Sequence, residues 1–132
     1  PLAHVEAPLA GSILLAGDTD AKVWKDYIIP ESVAKVSSSL LLASHHGSIT
    51  FFDDPRDEKN YYTSHIEKIN PAMTIISVGD NPHGHPDKKA VELYEKYSRG
   101  SDKGNKVFRT DVNGNMKLEL KDTGSWTIWQ NQ

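Results

Sequence analysis

Met73-Thr74-Ile75-Ile76-Ser77-Val78 is the clearest strand signal in the sequence, because it is apolar and largely β-branched along its length. A strand that is apolar on both faces is typical of a parallel sheet covered by helices. Two further short apolar runs precede it, Ser12-Ile13-Leu14-Leu15-Ala16 and Leu40-Leu41-Leu42-Ala43. Amphipathic stretches alternate with these runs, and the alternation predicts an α/β protein.

Helical spacing of apolar residues marks the segments that separate and follow these strands. The predicted helices are 21–29, with Asp20 as its N-cap and Pro30 ending it; 61–69, ended by Asn70-Pro71; and a third from the cap Asp87 to Tyr97. Residues 51–59 are rich in charge and are expected to form an exposed loop or insertion. The acidic side chains there, Asp53, Asp54, Asp57 and Glu58, are expected to be solvated.

The last third of the chain reads as short strands joined by tight turns. A strand at 106–109 is followed by Asn113-Gly114 and then by Met116 to Leu120, which strictly alternate apolar and polar residues. Asn-Gly favours a hairpin turn, so the strands on either side of it are expected to be antiparallel. A final strand is predicted from Ser125 to Trp129.

Length and composition limit the class of protein. The chain has 132 residues, enough for one domain spanning 1–132, and its 37% hydrophobic residues argue against disorder. The net charge of −3 provides no general attraction to nucleic acid or to an anionic membrane. No apolar run reaches about 20 residues, so no membrane segment is predicted. Because the chain has no cysteine, a metal site would have to use His, Asp and Glu.

Polar residues follow each of the three apolar strands at its carboxyl end. They are Asp18 after the first, His45 and His46 after the second, and His83 and His85 after the third. Ligands of α/β sheets bind beyond these ends, so one convergent site is expected. Each residue alone also has a structural explanation: a turn or cap for Asp18, and an exposed surface position for the histidines. The joint arrangement is harder to obtain by chance. His4 and His65 are expected to lie outside the site.

Imidazoles and a carboxylate at one place are suited to binding a divalent cation. A carboxylate can bridge two such ions, which then generate hydroxide and stabilise the oxygens of an in-line displacement. Ser48 and the backbone amides beside Gly47 are candidates to bind a phosphate oxygen.

A series of motifs between about Ser12 and Ile128 resembles the metallo-β-lactamase-like domain of bacterial competence proteins for DNA internalisation. In chain order the series is Ile13-Leu14-Leu15-Ala16-Gly17-Asp18, Ser44-His45-His46-Gly47-Ser48, Ile75-Ile76-Ser77-Val78-Gly79, Asn81-Pro82-His83-Gly84-His85-Pro86 and Phe108-Arg109-Thr110-Asp111. The resemblance implies an αββα sandwich with a dinuclear metal site at one edge between two sheets. It also implies a divalent metal cofactor, with zinc as the first candidate and manganese as the second.

The resemblance also assigns roles to individual residues. Asp18 takes the place of the family's bridging aspartate, and His85 that of its late metal ligand. His45 and His46 take the place of the paired histidines, leaving open which of them faces the site. The implied catalytic residues are Asp18, His45 and His46; the metal ligands are Asp18, His46 and His85; and the substrate contacts are Ser48, His83 and Arg109.

The chain departs from the family's pattern before Asp18, where a His-x-His-x-Asp-His motif is expected. The only histidine in that stretch is His4. The chain is therefore expected to be the C-terminal part of the fold, without the half that carries this motif. It is a fragment, a segment completed by another chain, or a reduced relative that has lost the chemistry. An isolated half-sandwich would expose an apolar sheet face, so a homo-oligomer is expected.

Two functions from different classes follow. The first is a metal-dependent hydrolase of the phosphodiesterase or nuclease type, which uses metal-bound hydroxide on a phosphodiester or nucleic-acid substrate in the bacterial cytoplasm. Attachment to a membrane through absent segments stays open. The alternative is an incomplete or degenerate, non-catalytic structural or interaction module of the same fold. A β-lactam or thioester hydrolase is a third, weaker option within the superfamily.

Overall fold

The structure is a computed structural model that describes residues 3–6, 11–54, 56–57, 59–79, 84–100, 104–123 and 125–131. It is a mixed α/β fold with one five-stranded sheet and one two-stranded sheet. The predicted α/β class is thereby confirmed at this level. No helix in the described part of the chain combines the length and apolar character that a membrane span requires.

The five-stranded sheet has the spatial order β1-β2-β3-β4-β5. Its strands are β1 Ala3–Glu6, β2 Ser12–Leu15, β3 Leu40–Leu42, β4 Met73–Ile76 and β5 Val107–Arg109. Strands β2 to β5 are parallel, and β1 pairs with β2 in the antiparallel direction at the edge. The three predicted apolar strands are all present, whereas β1 was not predicted.

Helices and short helical turns cover one face of this sheet. Leu14, Leu41 and Ile76 belong to the buried core on that face, together with Trp24 and Tyr94. The helices are α1 Ala21–Val23, α2 Ile29–Ser32, α3 Ser64–Ile69 and α4 Lys88–Tyr97. The other face carries the buried Leu40, Met73 and Ile75 beside the half-buried Ile13, Leu15, Leu42 and Phe108.

The sequence predicted that the first helix ends at Pro30, but the helical region continues beyond this residue. After α1, a π-helical segment, Trp24–Ile28, leads directly into α2, and a 3-10 turn, Val33–Lys35, follows. The π segment ends with Ile29 N–H donating to the Trp24 carbonyl, so Pro30 falls in the first turn of α2. A proline is tolerated there because that N–H has no partner within the helix. The predicted cap is confirmed, since Asp20 accepts a hydrogen bond from Val23 N.

The charged stretch 51–59 is only partly the solvated loop that was predicted. Phe51 and Phe52 are fully buried in the core, and the Asp54 residue is only 2% exposed. Asp54 accepts a 2.5 Å hydrogen bond from Lys25 Nζ and another from Arg56 N. These partners lower the pKa of Asp54, the bond from Lys25 most strongly. The prediction of a solvated Asp54 was wrong. Lys25, which is 29 positions away in the chain, supplies the positive charge that a buried carboxylate requires.

The stretch before α3 also differs from the predicted helix 61–69. Tyr61 forms an antiparallel bridge with Asp53, and Tyr62 N donates to the Phe52 carbonyl. The helix therefore begins only at Ser64 and ends at Asn70, which has a left-handed backbone with φ of 49°. The helix predicted after Asp87 is confirmed as α4.

The predicted antiparallel pairing across Asn113-Gly114 was wrong. Residues Thr110–Asn113 form a short helix, α5, closed by Gly114 N donating to the Thr110 carbonyl. The strand before it, β5, pairs with β4 in the parallel sheet. The antiparallel hairpin lies further on, between β6 Asn115–Leu120 and β7 Trp126–Asn131.

Candidate functional site

The loops that follow the parallel strands are bonded to one another at the carboxyl edge of the sheet. His45 N donates to the Gly17 carbonyl at 2.9 Å, which joins the loop after β3 to the loop after β2. Asp87 N donates to the Gly47 carbonyl at 3.0 Å, which joins the β3 loop to the segment before α4. These bonds join the loop after β2, the loop after β3 and the segment before α4 at one edge of the sheet.

Three consecutive residues of the β3 loop have a left-handed backbone. The φ angles are 48° for His45, 54° for His46 and +84° for Gly47. This conformation costs roughly 1–2 kcal/mol for each residue that has a Cβ, and such strain clusters at functional sites. The turn holds both imidazoles at the surface while Ser44 and Gly47 on either side are buried.

Gly47 is required by a close approach as well as by its φ. A Cβ atom placed on Gly47 would lie 2.6 Å from Pro86 Cβ and 3.1 Å from Ile76 Cγ2. The segment that carries His85 is therefore packed directly onto the turn that carries His45 and His46.

His46 is oriented by the end of β4. Its Nδ1 atom lies 2.7 Å from the Ser77 carbonyl oxygen. A carbonyl only accepts hydrogen bonds, so Nδ1 carries the hydrogen and, in the neutral ring, Nε2 keeps its lone pair. An imidazole fixed through one nitrogen to a backbone carbonyl is the usual arrangement of a metal-ligating histidine.

His45 faces His85 more closely than it faces His46. The ring centroids of His45 and His85 are 5.4 Å apart, and those of His45 and His46 are 6.4 Å apart. The structure thus brings the paired histidines and the predicted late ligand to one edge of the sheet. Both His45 and His46 are exposed; the His45 ring lies beside His85, and the His46 ring contacts the Ser77 carbonyl.

Asp18 lies on the neighbouring turn after β2 and is exposed. It directly follows Gly17, whose carbonyl accepts from His45 N. Nevertheless, among the residues that the structure describes, no group of three or more His, Asp or Glu side chains is placed to hold a metal ion. The predicted set of Asp18, His46 and His85 has its loops together but is not a preassembled cluster. His83 lies outside the described residues.

Ser48 and Arg109, predicted to contact substrate, are both engaged within the fold. Ser48 is buried and its Oγ accepts from Thr50 N at 3.2 Å, capping the turn Ile49–Phe51. Arg109 donates to both carboxylate oxygens of Asp111, at 3.0 and 2.7 Å. This pairing raises the pKa of Arg109 and lowers that of Asp111. Neither side chain is directed at the histidines by these bonds.

Two residues that brace the site were not assigned this role from the sequence. Asp87 was predicted to cap α4, yet its Oδ2 accepts from Ile49 N at 2.6 Å, 38 positions away. Thr110 Oγ1 accepts from Val78 N and donates to the Val78 carbonyl, both at 2.7 Å, just beyond the end of β4. No local pattern reveals such bonds, because each joins segments far apart in the chain.

Comparison of the chain with protein-family models, curated proteins and solved structures finds no match. The resemblance to the competence-protein domain therefore rests on the motifs themselves, above all Ser44-His45-His46-Gly47-Ser48. The bonds that join the motif-bearing loops are independent of that resemblance.

Proposed function

We propose that this chain is part of a metal-dependent hydrolase of the metallo-β-lactamase type that acts on phosphodiester bonds. The observation that carries the proposal is the orientation of His46, whose Nδ1–H donates to the Ser77 carbonyl and leaves Nε2 available at the exposed edge. His45 and His85, packed ring against ring, stand beside it. Three strand ends contribute to this edge, as expected for a binding site in an α/β sheet.

The donor types fit a divalent metal such as zinc, which takes imidazole nitrogen and carboxylate oxygen; manganese is the second candidate. His46, His85 and Asp18 are the residues that would hold it, with the loop bonds between His45 and Gly17 bringing Asp18 alongside. A cation bound there would lower the pKa of a water molecule and stabilise charge on the phosphodiester oxygens. His45, whose ring lies beside that of His85, would be placed to accept a proton from a water molecule at such a cation.

Incomplete covering of the second face of the five-stranded sheet supports the proposal that the chain is half of an αββα sandwich. Ile13, Leu15, Leu42 and Phe108 are only half-buried there, although Leu40, Met73 and Ile75 on the same face are buried, and a second layer would complete the cover. A further segment or another chain packed on that face would also supply additional metal ligands, because the described residues do not form a group of three.

The proposal is tested first by metal binding, because binding does not require turnover. Apo protein prepared with a chelator is titrated calorimetrically with zinc and then with manganese. Binding is expected, with a loss of about tenfold or more in affinity for His46→Ala and for His85→Ala. His4→Ala is the matched control, because His4 pairs with Leu14 along β1 and β2 and not at the strand ends. Unchanged affinity in His46→Ala would contradict the site assignment.

The reaction is tested with bis-nitrophenyl phosphate against a chromogenic lactam, using metal-loaded protein. Phosphodiester cleavage is expected to fall about 100-fold or more in Asp18→Ala and in His46→Ala, while Asp53→Ala, an exposed acid whose backbone bridges to Tyr61, retains it. Cleavage of the lactam without cleavage of the phosphodiester would contradict the proposed phosphodiesterase and favour a β-lactam hydrolase.

A non-catalytic structural or interaction module is the second candidate, and one observation favours it. Within the described ranges no three ligand side chains form a ready metal-binding group. A protein that binds neither metal, or that binds metal without cleaving either substrate, is expected under this alternative.

A further inference from the structure

The hairpin of β6 and β7 has a free edge. It forms a two-stranded sheet of its own, so in the part of the chain that is described β6 pairs with β7 on one side and with no strand on the other. Strand edges of this kind are ready templates for pairing with another chain. A two-stranded hairpin is also only marginally stable by itself, and further strands stabilise it.

The register of the hairpin determines which backbone groups of β6 point to the free edge. Lys121 N donates to the Ser125 carbonyl at 2.9 Å, and Leu118 is paired with Ile128. In antiparallel sheets hydrogen-bonded and non-hydrogen-bonded pairs alternate along the strand. Lys117 and Glu119 therefore bond toward β7, while the N–H and C=O groups of Met116, Leu118 and Leu120 point outward.

The two faces of the hairpin differ in character. Met116, Leu118 and Leu120 share one face with Trp126 and Ile128, and these five side chains are all only half-buried. The opposite face carries Lys117, Glu119 and Trp129, with Lys117 Nζ 5.3 Å from the centre of the Trp129 ring. Along β6 the apolar residues thus alternate with one positive and one negative charge.

We propose that the free edge of β6 binds the β6 strand of a second copy of this chain, with Leu118 on the twofold axis. Leu118 would pair with its own copy, Met116 with Leu120 of the other protomer, and Lys117 with Glu119. About six main-chain hydrogen bonds would form from the outward groups, giving a four-stranded antiparallel sheet. The apolar faces of the two hairpins would become continuous across the axis.

Charge selects this register over its neighbours. With Leu118 at the axis, each Lys117 lies opposite a Glu119, in the non-hydrogen-bonded pairs whose side chains are closest. An axis at Lys117 or at Glu119 would place two like charges directly opposite each other, which is unfavourable. In this alignment the segment Met116 to Leu120 is complementary in charge to a second copy of itself, which favours an identical strand as the partner.

Charge reversal provides a direct test, read by sedimentation velocity over a range of concentrations at low salt. Wild-type protein is expected to dimerise, and Lys117→Glu or Glu119→Lys alone is expected to weaken the dimer about tenfold or more. The double variant Lys117→Glu/Glu119→Lys, and a mixture of the two single variants, are both expected to dimerise again. Lys106→Glu changes the net charge equally, lies outside the hairpin, and is expected to leave the dimer unchanged.

Circular dichroism of every variant shows whether it is folded, and the rescue by the double variant excludes a mere loss of structure. A wild-type protein that stays monomeric throughout the range, or association that is equal in all variants, overturns the proposal. The second result would place the contact on another surface.

A disulfide cross-link reads the register independently, since the chain has no cysteine. Residues in a hydrogen-bonded antiparallel pair have Cα atoms about 5.5 Å apart, within the range that a disulfide spans. Leu118→Cys is therefore expected to form a covalent dimer on mild oxidation. Thr127→Cys on β7 would lie more than about 14 Å from its copy, which is three strand spacings away, and is expected not to cross-link. Equal cross-linking of both variants, or none by Leu118→Cys in an associating protein, rules out this register. The inference does not depend on the proposed hydrolase activity.

Discussion

At the scale of single residues, the candidate site depends on a backbone that most side chains avoid. His45, His46 and Gly47 are all left-handed, and Gly47 also contacts Pro86 with no room for a Cβ atom. The left-handed turn and the loop packed against it together place the imidazoles of His45, His46 and His85 at one edge.

Replacing Gly47 with alanine is expected to destabilise the fold by about 2–5 kcal/mol. About 1–2 kcal/mol comes from the left-handed backbone, and a further 1–3 kcal/mol from the overlap with Pro86. Gly84→Ala is the matched control, because Gly84 has a φ of +72° but nothing within 4 Å of its added Cβ. Denaturant unfolding of both variants measures the difference, and equal losses would show that the contact with Pro86 contributes nothing.

His65 has a different role from the other histidines. It is fully buried, its ring stacks on Phe51 with centroids 4.0 Å apart, and its Nε2 donates to the Phe51 carbonyl at 2.7 Å. Burial lowers the pKa of His65 to about 4, from 6.5, although the hydrogen bond with Phe51 opposes the shift. The neutral ring is therefore part of the core, as its exclusion from the site implied.

The free energy of unfolding is expected to decrease as the pH is lowered, because His65 is buried in its neutral form. Its folded pKa is depressed below the unfolded value, so its contribution is complete above about pH 6.5 and is lost as the pH falls toward 4. The loss at pH 4 amounts to about 3 kcal/mol. Chemical denaturation of wild type and of His65→Gln, which keeps a donor but does not titrate, should give profiles that differ by this amount. Parallel profiles would contradict a buried, neutral His65.

At the scale of elements, the segment 51–62 is tied to the first helical region by charge. Asp54 lies between Lys25 and Arg56, and Arg56 in turn donates to Asp26 at 2.6 Å. The same segment contributes Phe51 and Phe52 to the core. A stretch that looks like a solvated insertion is therefore a connecting element between two parts of the fold.

Asp54→Ala is expected to lower the free energy of unfolding more than Asp53→Ala, its exposed neighbour. The variant leaves Lys25 and Arg56 without the carboxylate that both approach. The pKa of Asp54 is lowered in the folded state, so this stabilisation is present above the unfolded pKa and is lost as the pH falls. Thermal unfolding of both variants at pH 7 is the measurement. An Asp53→Ala variant as unstable as Asp54→Ala would refute the assignment.

At the scale of the whole molecule, the two sheets differ in how well they are packed. The core cluster draws on β2, β3, β4, α3 and α4, and among the described side chains it includes none from β6 or β7. Among the elements, β6 and β7 contact mainly each other, and β6 also contacts α5.

Amide hydrogen exchange is expected to separate the two sheets. In dilute protein, amides of Leu14, Leu41 and Ile75 should exchange close to the rate set by global unfolding, and those of β6 and β7 considerably faster. Mass spectrometry of peptic peptides measures both regions in one sample. Equal protection of hairpin and core would mean that the hairpin unfolds only with the rest of the protein.

Much of the fold follows from local pattern. The three apolar strands, the Asp20 cap and helix α4 were predicted because each depends on residues next to one another in the chain. The errors occur where distant partners decide the outcome: Asp54 is buried by Lys25, Pro30 is tolerated after a π segment, and Gly114 ends a helix instead of forming a hairpin.

Local pattern was enough to predict that Asp18, His45, His46 and His85 follow strands, and a parallel sheet places such residues at one edge. The way in which their side chains are presented depends on contacts between segments that are far apart in the chain. The bond from His46 to Ser77, the contact of Gly47 with Pro86 and the packing of His45 on His85 all join separate loops. Periodicity records which face a residue occupies within its own element, whereas the relative position of two loops depends on packing between elements, which no local pattern encodes.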